Sequence, residues 1–139
     1  MRELNNVVLD TNILVSALWS KDGNPNKIVR MMLSGEITNY YSDDTMEEYK
    51  DVLFREKFIN KFSYNAVNEL TKKIVKLGKK VVVCNSDILL TDEDDRAFYD
   101  VAKTVNAILI TGNIKHYPDE DFIMTPSEFL TNISKLIAI

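Results

Sequence analysis

The stretch Val7–Leu18, VVLDTNILVSAL, sets an aspartate at the end of an apolar run. Val7, Val8 and Leu9 show no polar alternation, the pattern of a parallel strand covered on both faces. Ile13, Leu14 and Val15 resume the apolar pattern, so Asp10 lies between two stretches that expect burial. A carboxylate placed there is costly to bury unless donors, a cation or a metal compensate. Asp10 could simply cap a helix that starts near Thr11, as short polar residues often do. The alternative is a metal ligand at the carboxyl end of a sheet, and that reading requires partners elsewhere in the chain.

The 139 residues are expected to form a single domain over 1–139, long enough to bury one core. Hydrophobic residues make up 45% and charged residues 27%, the balance of a soluble globular protein. No apolar run nears the ~20 residues of a membrane span, and Met1–Leu4 has no secretory pattern. A single cysteine, Cys84, excludes an internal disulfide and fits a buried thiol in a cytoplasmic protein. The net charge of −4 is unevenly spread. Arg55–Lys80 carries eight basic residues against two acids, and Asn85–Asp121 nine acids against three bases. Either run alone is a solvated face; together they suit an enzyme that holds a polyanion beside a cation site.

Five apolar runs read as strands: Val7–Leu9, Thr38–Tyr41, Val81–Val83, Ala107–Ile110 and Phe122–Met124. Helical patterns separate them. Pro25 opens one helix and Gly35 ends it. Met46, Tyr49 and Leu53 follow the capping residues of SDDT; Val67, Leu70, Ile74 and Leu77 form a stripe that stops at Gly78. Phe98, Val101, Ala102 and Val105 share another face, and Pro126 heads a last helix through Leu130. Alternating strands and helices predict an α/β fold, a central parallel five-stranded sheet flanked by helices. With four glycines and no Gly-x-Gly-x-x-Gly or Gly-x-Ser-x-Gly, nucleotide-binding and α/β-hydrolase folds are poor candidates. His116, the only histidine, reads as a surface loop residue.

Parallel sheets bind ligands beyond the carboxyl ends of their strands. Asp10 follows the first strand, Glu48 lies on the helix after the second, Asp92, Asp94 and Asp95 open the helix after the third, and Asn113 follows the fourth. Acids at helix N-termini are also explained by the dipole, which accounts for 92–95 but poorly for Glu48. Helical geometry puts Glu48 beside the apolar stripe and turns Glu47 and Asp51 outward. It does not choose between Asp94 and Asp95.

VVLDTNILVSAL, EEYKDVL, DEDDRAFYDVA, LITGN and TPSEFL, in this order over Val7–Leu130, resemble the PIN-domain family, and more narrowly its toxin components of toxin–antitoxin pairs. The resemblance implies a PIN-like three-layer sandwich and metal-dependent cleavage of RNA. It places the family's acids on Asp10, Glu48 and Asp95 as catalytic and metal-binding residues. The fourth position, often aspartate, holds Asn113, which leaves the site one charge lighter. Asp92 falls on an accompanying acid, and Thr11 and Thr111 are supporting residues.

The chemistry agrees with the residue types. Mg²⁺ or Mn²⁺ lowers the pKa of a water and relieves charge on the phosphate, and needs only a few carboxylates. Lys72, Lys73 and Lys76 point away from their helix's apolar stripe and are candidate contacts to RNA phosphates, a solvated face being as good a reading. Trp19 and Tyr40–Tyr41 could stack on bases, though such rings are more often core or interface. A small antitoxin protein and a second copy of the chain are candidate partners; a membrane is not. Two rivals remain: a PIN-like RNA- or protein-binding module with weakened catalysis, which Asn113 permits, and a Mg²⁺-dependent phosphatase or phosphotransfer domain with Asp10 as nucleophile.

Overall fold

The computed structural model describes residues 2–83, 90 and 93–137, except the side chains of Asp94 and Ile137. Cys84, expected as a buried thiol, and Asp92, expected as an accompanying acid, lie outside the described residues. In chain order the elements are β1 (Asn6–Leu9), α1 (Thr11–Trp19), α2 (Asn24–Ser34), β2 (Thr38–Tyr41), α3 (Asp43–Leu53), α4 (Glu56–Phe62), α5 (Tyr64–Leu77), β3 (Lys79–Lys80), α6 (Arg96–Val105), β4 (Ile108–Ile110), β5 (Ile123–Met124) and α7 (Pro126–Ile137). The strands form one sheet in the order β3-β2-β1-β4-β5, parallel throughout.

Successive strand residues face opposite sides, yet Val7, Val8 and Leu9 are all fully buried. Both faces of β1 are therefore covered, as its uninterrupted apolar pattern requires. α6 packs over β1, β2 and β4 with Phe98, Val101 and Ala102, and α2 packs on α1, α5 and α7. Helix ends follow local chemistry. Ser42 and Thr45 form a reciprocal capping box at the start of α3. Gly35 ends α2 at φ 86°, a backbone state that favours glycine. At Gly78 a Cβ would meet the carbonyl oxygens of Asn39 and Ile74 at 2.7 Å, so only glycine lets α5 turn so closely beneath β2.

Two expectations change. The third strand is Lys79–Lys80 rather than Val81–Val83: Val81 N–H still donates to Tyr41 O at 2.8 Å, but Val82 is 92% exposed. Val81 and Val83 still pack partly against the core, so the alternation in burial continues past the point where this edge strand's pairing with β2 ends. The sequence also gave no hint of α4, whose seven residues are too few to establish a helical period. Among the described residues no helix is long and apolar enough to cross a membrane.

Candidate active site

The strand order fixes where a site can form. From β1 the chain moves to β2 and β3 on one side, then returns to β4 on the other side of β1. The switch point, where neighbouring connections diverge, thus lies at the carboxyl ends of β1 and β4. Asp10 and Thr111 occupy those two ends. The pairing runs through Leu9 and Ile110, and Asp10 N–H donates to Ile110 O at 3.0 Å.

Asp10 stands at the N-cap of α1 but makes no side-chain capping bond. The residue is 5% exposed, and its Oδ2 accepts hydrogen bonds from Thr111 Oγ1 at 2.8 Å and Tyr117 OH at 3.0 Å. Burial raises its pKa; the two hydroxyls and the nearby amides of Thr11 and Asn12 pull it back toward the charged form. Among the described residues no lysine, arginine or histidine pairs with it. Next to it, Thr11 Oγ1 is buried with no hydrogen-bond partner among the described residues.

The floor beneath Asp10 is polar and closed. β2 pairs with β1 only through Asn6 and Val7, so the Leu9 backbone needs other partners. The buried Asn39 Oδ1 accepts from Leu9 N–H at 2.9 Å, Tyr49 OH donates to Leu9 O, and Asn39 Nδ2 donates to Tyr49 OH at 3.3 Å. On the β4 side, Asn12 staples the following loop to α1. Its Oδ1 accepts from Gly112 N–H at 2.9 Å, and its Nδ2 approaches Thr111 Oγ1 at 3.4 Å.

Asp95 ends a 3-10 turn (Glu93–Asp95) and sits at the N-cap of α6. Its Oδ2 lies 3.4 Å from His116 Nδ1, the residue before Tyr117. The pKa of the Tyr117 hydroxyl is pushed up by burial and by the charges of Asp10 and Asp95, so it stays a protonated donor to Asp10. Glu48 is half-buried while Glu47 and Asp51 are exposed, the orientation the helical reading gives. Glu48 lines an open cleft of about 950 Å³ with Val83, Glu93, Arg96 and the buried Asp100. Asn113 is exposed, and its backbone N–H donates to Thr111 Oγ1 at 2.9 Å.

The structure thus brings Asp10, Thr111 and Tyr117 into contact and sets Asp95 beside His116 and within electrostatic reach of Tyr117. Among the described residues, no three His, Cys, Asp or Glu side chains gather closely enough to hold a metal ion. The donors nevertheless have the character a hard cation requires: among the described residues, a buried carboxylate with no cation partner, a hydroxyl beside it with no hydrogen bond, and a second carboxylate within electrostatic reach of the same tyrosine. Sequence reading missed Tyr117, Tyr49, Asn39, Asn12 and the position of His116. Asn39 carried a signal: a polar residue inside a strand with no edge to face.

A parallel α/β domain with a buried aspartate at the β1–β4 switch point defines a class, and comparison with known proteins names it. A PIN-domain family profile matches residues 6–115, so the chain belongs to the PIN-domain family. PIN domains are generally metal-dependent nucleases. The chain is also similar to a protein of Methanocaldococcus jannaschii described as uncharacterized, 30% identical over 147 aligned positions that cover 95% of this chain and 94% of the relative. No solved structure matches the chain significantly.

Proposed function

We propose that this protein is a metal-dependent endoribonuclease and the toxin of a toxin–antitoxin pair. The observation that carries the nuclease reading is Asp10: a buried carboxylate at the switch point, not spent on capping and paired with no cation among the described residues. Asp10 and Asp95, with Glu48 from the cleft and the neutral oxygen of Asn113, would hold Mg²⁺ or Mn²⁺. When bound, the ion lowers the pKa of a water and offsets charge on the phosphate. Thr111 and Tyr117 fix Asp10 by one oxygen, Oδ2, so its other oxygen receives neither hydroxyl. Asn12 holds the loop bearing Asn113 against α1. Thr11 Oγ1 offers an unused hydroxyl at the same place.

The exposed Lys72, Lys73 and Lys76 on α5 supply sequence-independent contacts to RNA phosphates. A small antitoxin protein is the restraining partner, and the chain acts in the cytoplasm, alone or as a homodimer. Asn113 favours a second reading, a PIN-like RNA- or protein-binding module with weakened catalysis. It adds no charge at the position where the family often has aspartate, and it is exposed.

The test is cleavage of single-stranded RNA at graded Mg²⁺ and Mn²⁺ by wild type, Asp10→Asn and Asn113→Asp. Cleavage should require metal, vanish in Asp10→Asn, and rise in Asn113→Asp when Mg²⁺ is limiting. Wild type, but not Asp10→Asn, should arrest growth when expressed without a partner. Cleavage that survives Asp10→Asn overturns the site. RNA binding with no metal-dependent cleavage favours the second reading.

A further inference from the structure

α1 ends on Trp19, the protein's only tryptophan, whose side chain is 62% exposed. A single exposed ring needs no occupant, but this one heads a run of aromatic rings, and a contiguous apolar patch marks an interaction site. It is not loose: Phe62 meets it edge-on at 5.5 Å, and Phe62 stacks at 6.3 Å and 9° on Phe58, which is buried. Cations flank this run of rings. Lys61 Nζ lies 5.5 Å from the Trp19 centroid and Lys57 Nζ 4.9 Å from that of Phe58. Both lysines are exposed, and among the described residues neither enters an ion pair. The nearby Arg55 is already tied to Asp51 at 3.3 Å, and the one acid on α4 is its first residue, Glu56.

We propose that Trp19, steadied by Phe62 and flanked by Lys57 and Lys61, is a stacking platform for an unpaired base of single-stranded RNA. This rests on the ribonuclease reading above and narrows its substrate. An apolar protein surface would use the ring but not the two cations; a nucleotide uses both, a base on the ring and phosphates on the lysines. A base inside a duplex has no free face to offer, so the strand must be unpaired there. α1 also measures the span. Trp19 is nine residues after Asp10, roughly 13 Å along the axis at ~1.5 Å per residue. The stacked base lies a few nucleotides along the same strand from the phosphate held near Asp10.

Trp19 reports on itself, because it is the only indole in the chain. Wild-type protein in chelator is titrated with a single-stranded oligouridylate and with its duplex on oligoadenylate. The single strand should quench Trp19 emission and the duplex should not. By anisotropy of the labelled strand, Trp19→Ala should bind roughly ten-fold more weakly, with Trp19→Phe between the two. Lys57→Gln with Lys61→Gln should keep the quenching and lower the slope of log affinity against log salt by roughly one. Unaltered emission with unaltered affinity of Trp19→Ala overturns the platform, as does equal quenching by the duplex. So does a dimer in sedimentation that Trp19→Ala dissolves, because the second copy then covers the ring. The readout is independent of catalysis. Quenching without metal-dependent cleavage keeps the platform and defeats the nuclease reading; cleavage without quenching does the reverse.

Discussion

On the β1–β4 side of the sheet's carboxyl edge, Asp10 is buried and receives two hydroxyl hydrogen bonds, over a floor in which the Leu9 N–H and C=O are both satisfied by side chains. On the β2–α3 side, Glu48 is half-buried on the wall of an open cleft crowded with other acids. One carboxylate is buried and held by two hydroxyls, and the other stands half in solvent on an open wall. The difference follows from topology. β1 and β4 are paired up to their last residues, whereas the β1–β2 pairing stops early and the outer strand β3 has two residues. The two carboxylates therefore differ in burial, and substitutions on the two sides should differ in what they cost.

The largest effect is expected at Tyr117. Tyr117→Phe removes a donor to a buried carboxylate and should lower stability by about 1.5–3 kcal/mol, measured by urea unfolding near neutral pH. A loss below about 0.5 kcal/mol would mean that water replaces the hydroxyl and that the pocket is not closed.

A smaller effect concerns the charge itself. Burial raises the pKa of Asp10 in the folded protein, so the folded state binds its proton more readily than the unfolded chain does. Stability from this group is then present at low pH and is lost as pH rises through the raised value. In chelator, Asp10→Asn should match or exceed wild type near neutrality, and its advantage should shrink as pH falls into the carboxylate range. Unfolding curves from pH 4 to pH 8 would check this, and a constant difference would mean that the hydrogen bonds offset burial in full.

The smallest effect is expected across the sheet. Glu48→Gln should change stability by no more than about 0.5 kcal/mol, since the amide keeps the size of a side chain that stands half in solvent on an open wall. Its consequence should appear instead in metal affinity, followed by Mn²⁺ calorimetry. A destabilisation as large as that of Tyr117→Phe would erase the contrast between the two sides.

The framework was legible because β1 and β4 are apolar on both faces and α3, α5 and α6 carry long stripes. A period of two or of 3.6 survives in sequence when an element is long enough to repeat it. α4 is too short, and β3 is an edge strand whose pairing depends on where Gly78 releases the chain. The site was legible only in part. Asp10 and Thr111 follow apolar runs, so their position at strand ends could be read directly. Tyr117, Asn39 and Tyr49 act through bonds to residues 10 to 107 positions away, and such bonds depend on register, which periodicity does not encode. Trp19 was legible only as a choice: an aromatic at the end of an apolar helix reads as core, interface or base-stacking surface, and its exposure is decided by what the neighbouring helix brings to it.

The sheet's two outermost strands, Lys79–Lys80 and Ile123–Met124, are two residues each. A long bare edge would let another molecule extend the sheet by main-chain pairing, the first step toward aggregates. Here each border is too short to template a foreign strand, and one of them consists of two lysines, Lys79 and Lys80, the residue type that protects an edge; Lys80 is paired with Asp43 at 2.8 Å. The brevity of β3 that made the third strand hard to find is thus also a safeguard for a chain whose inner strands, uninterruptedly apolar, would adhere to one another if exposed.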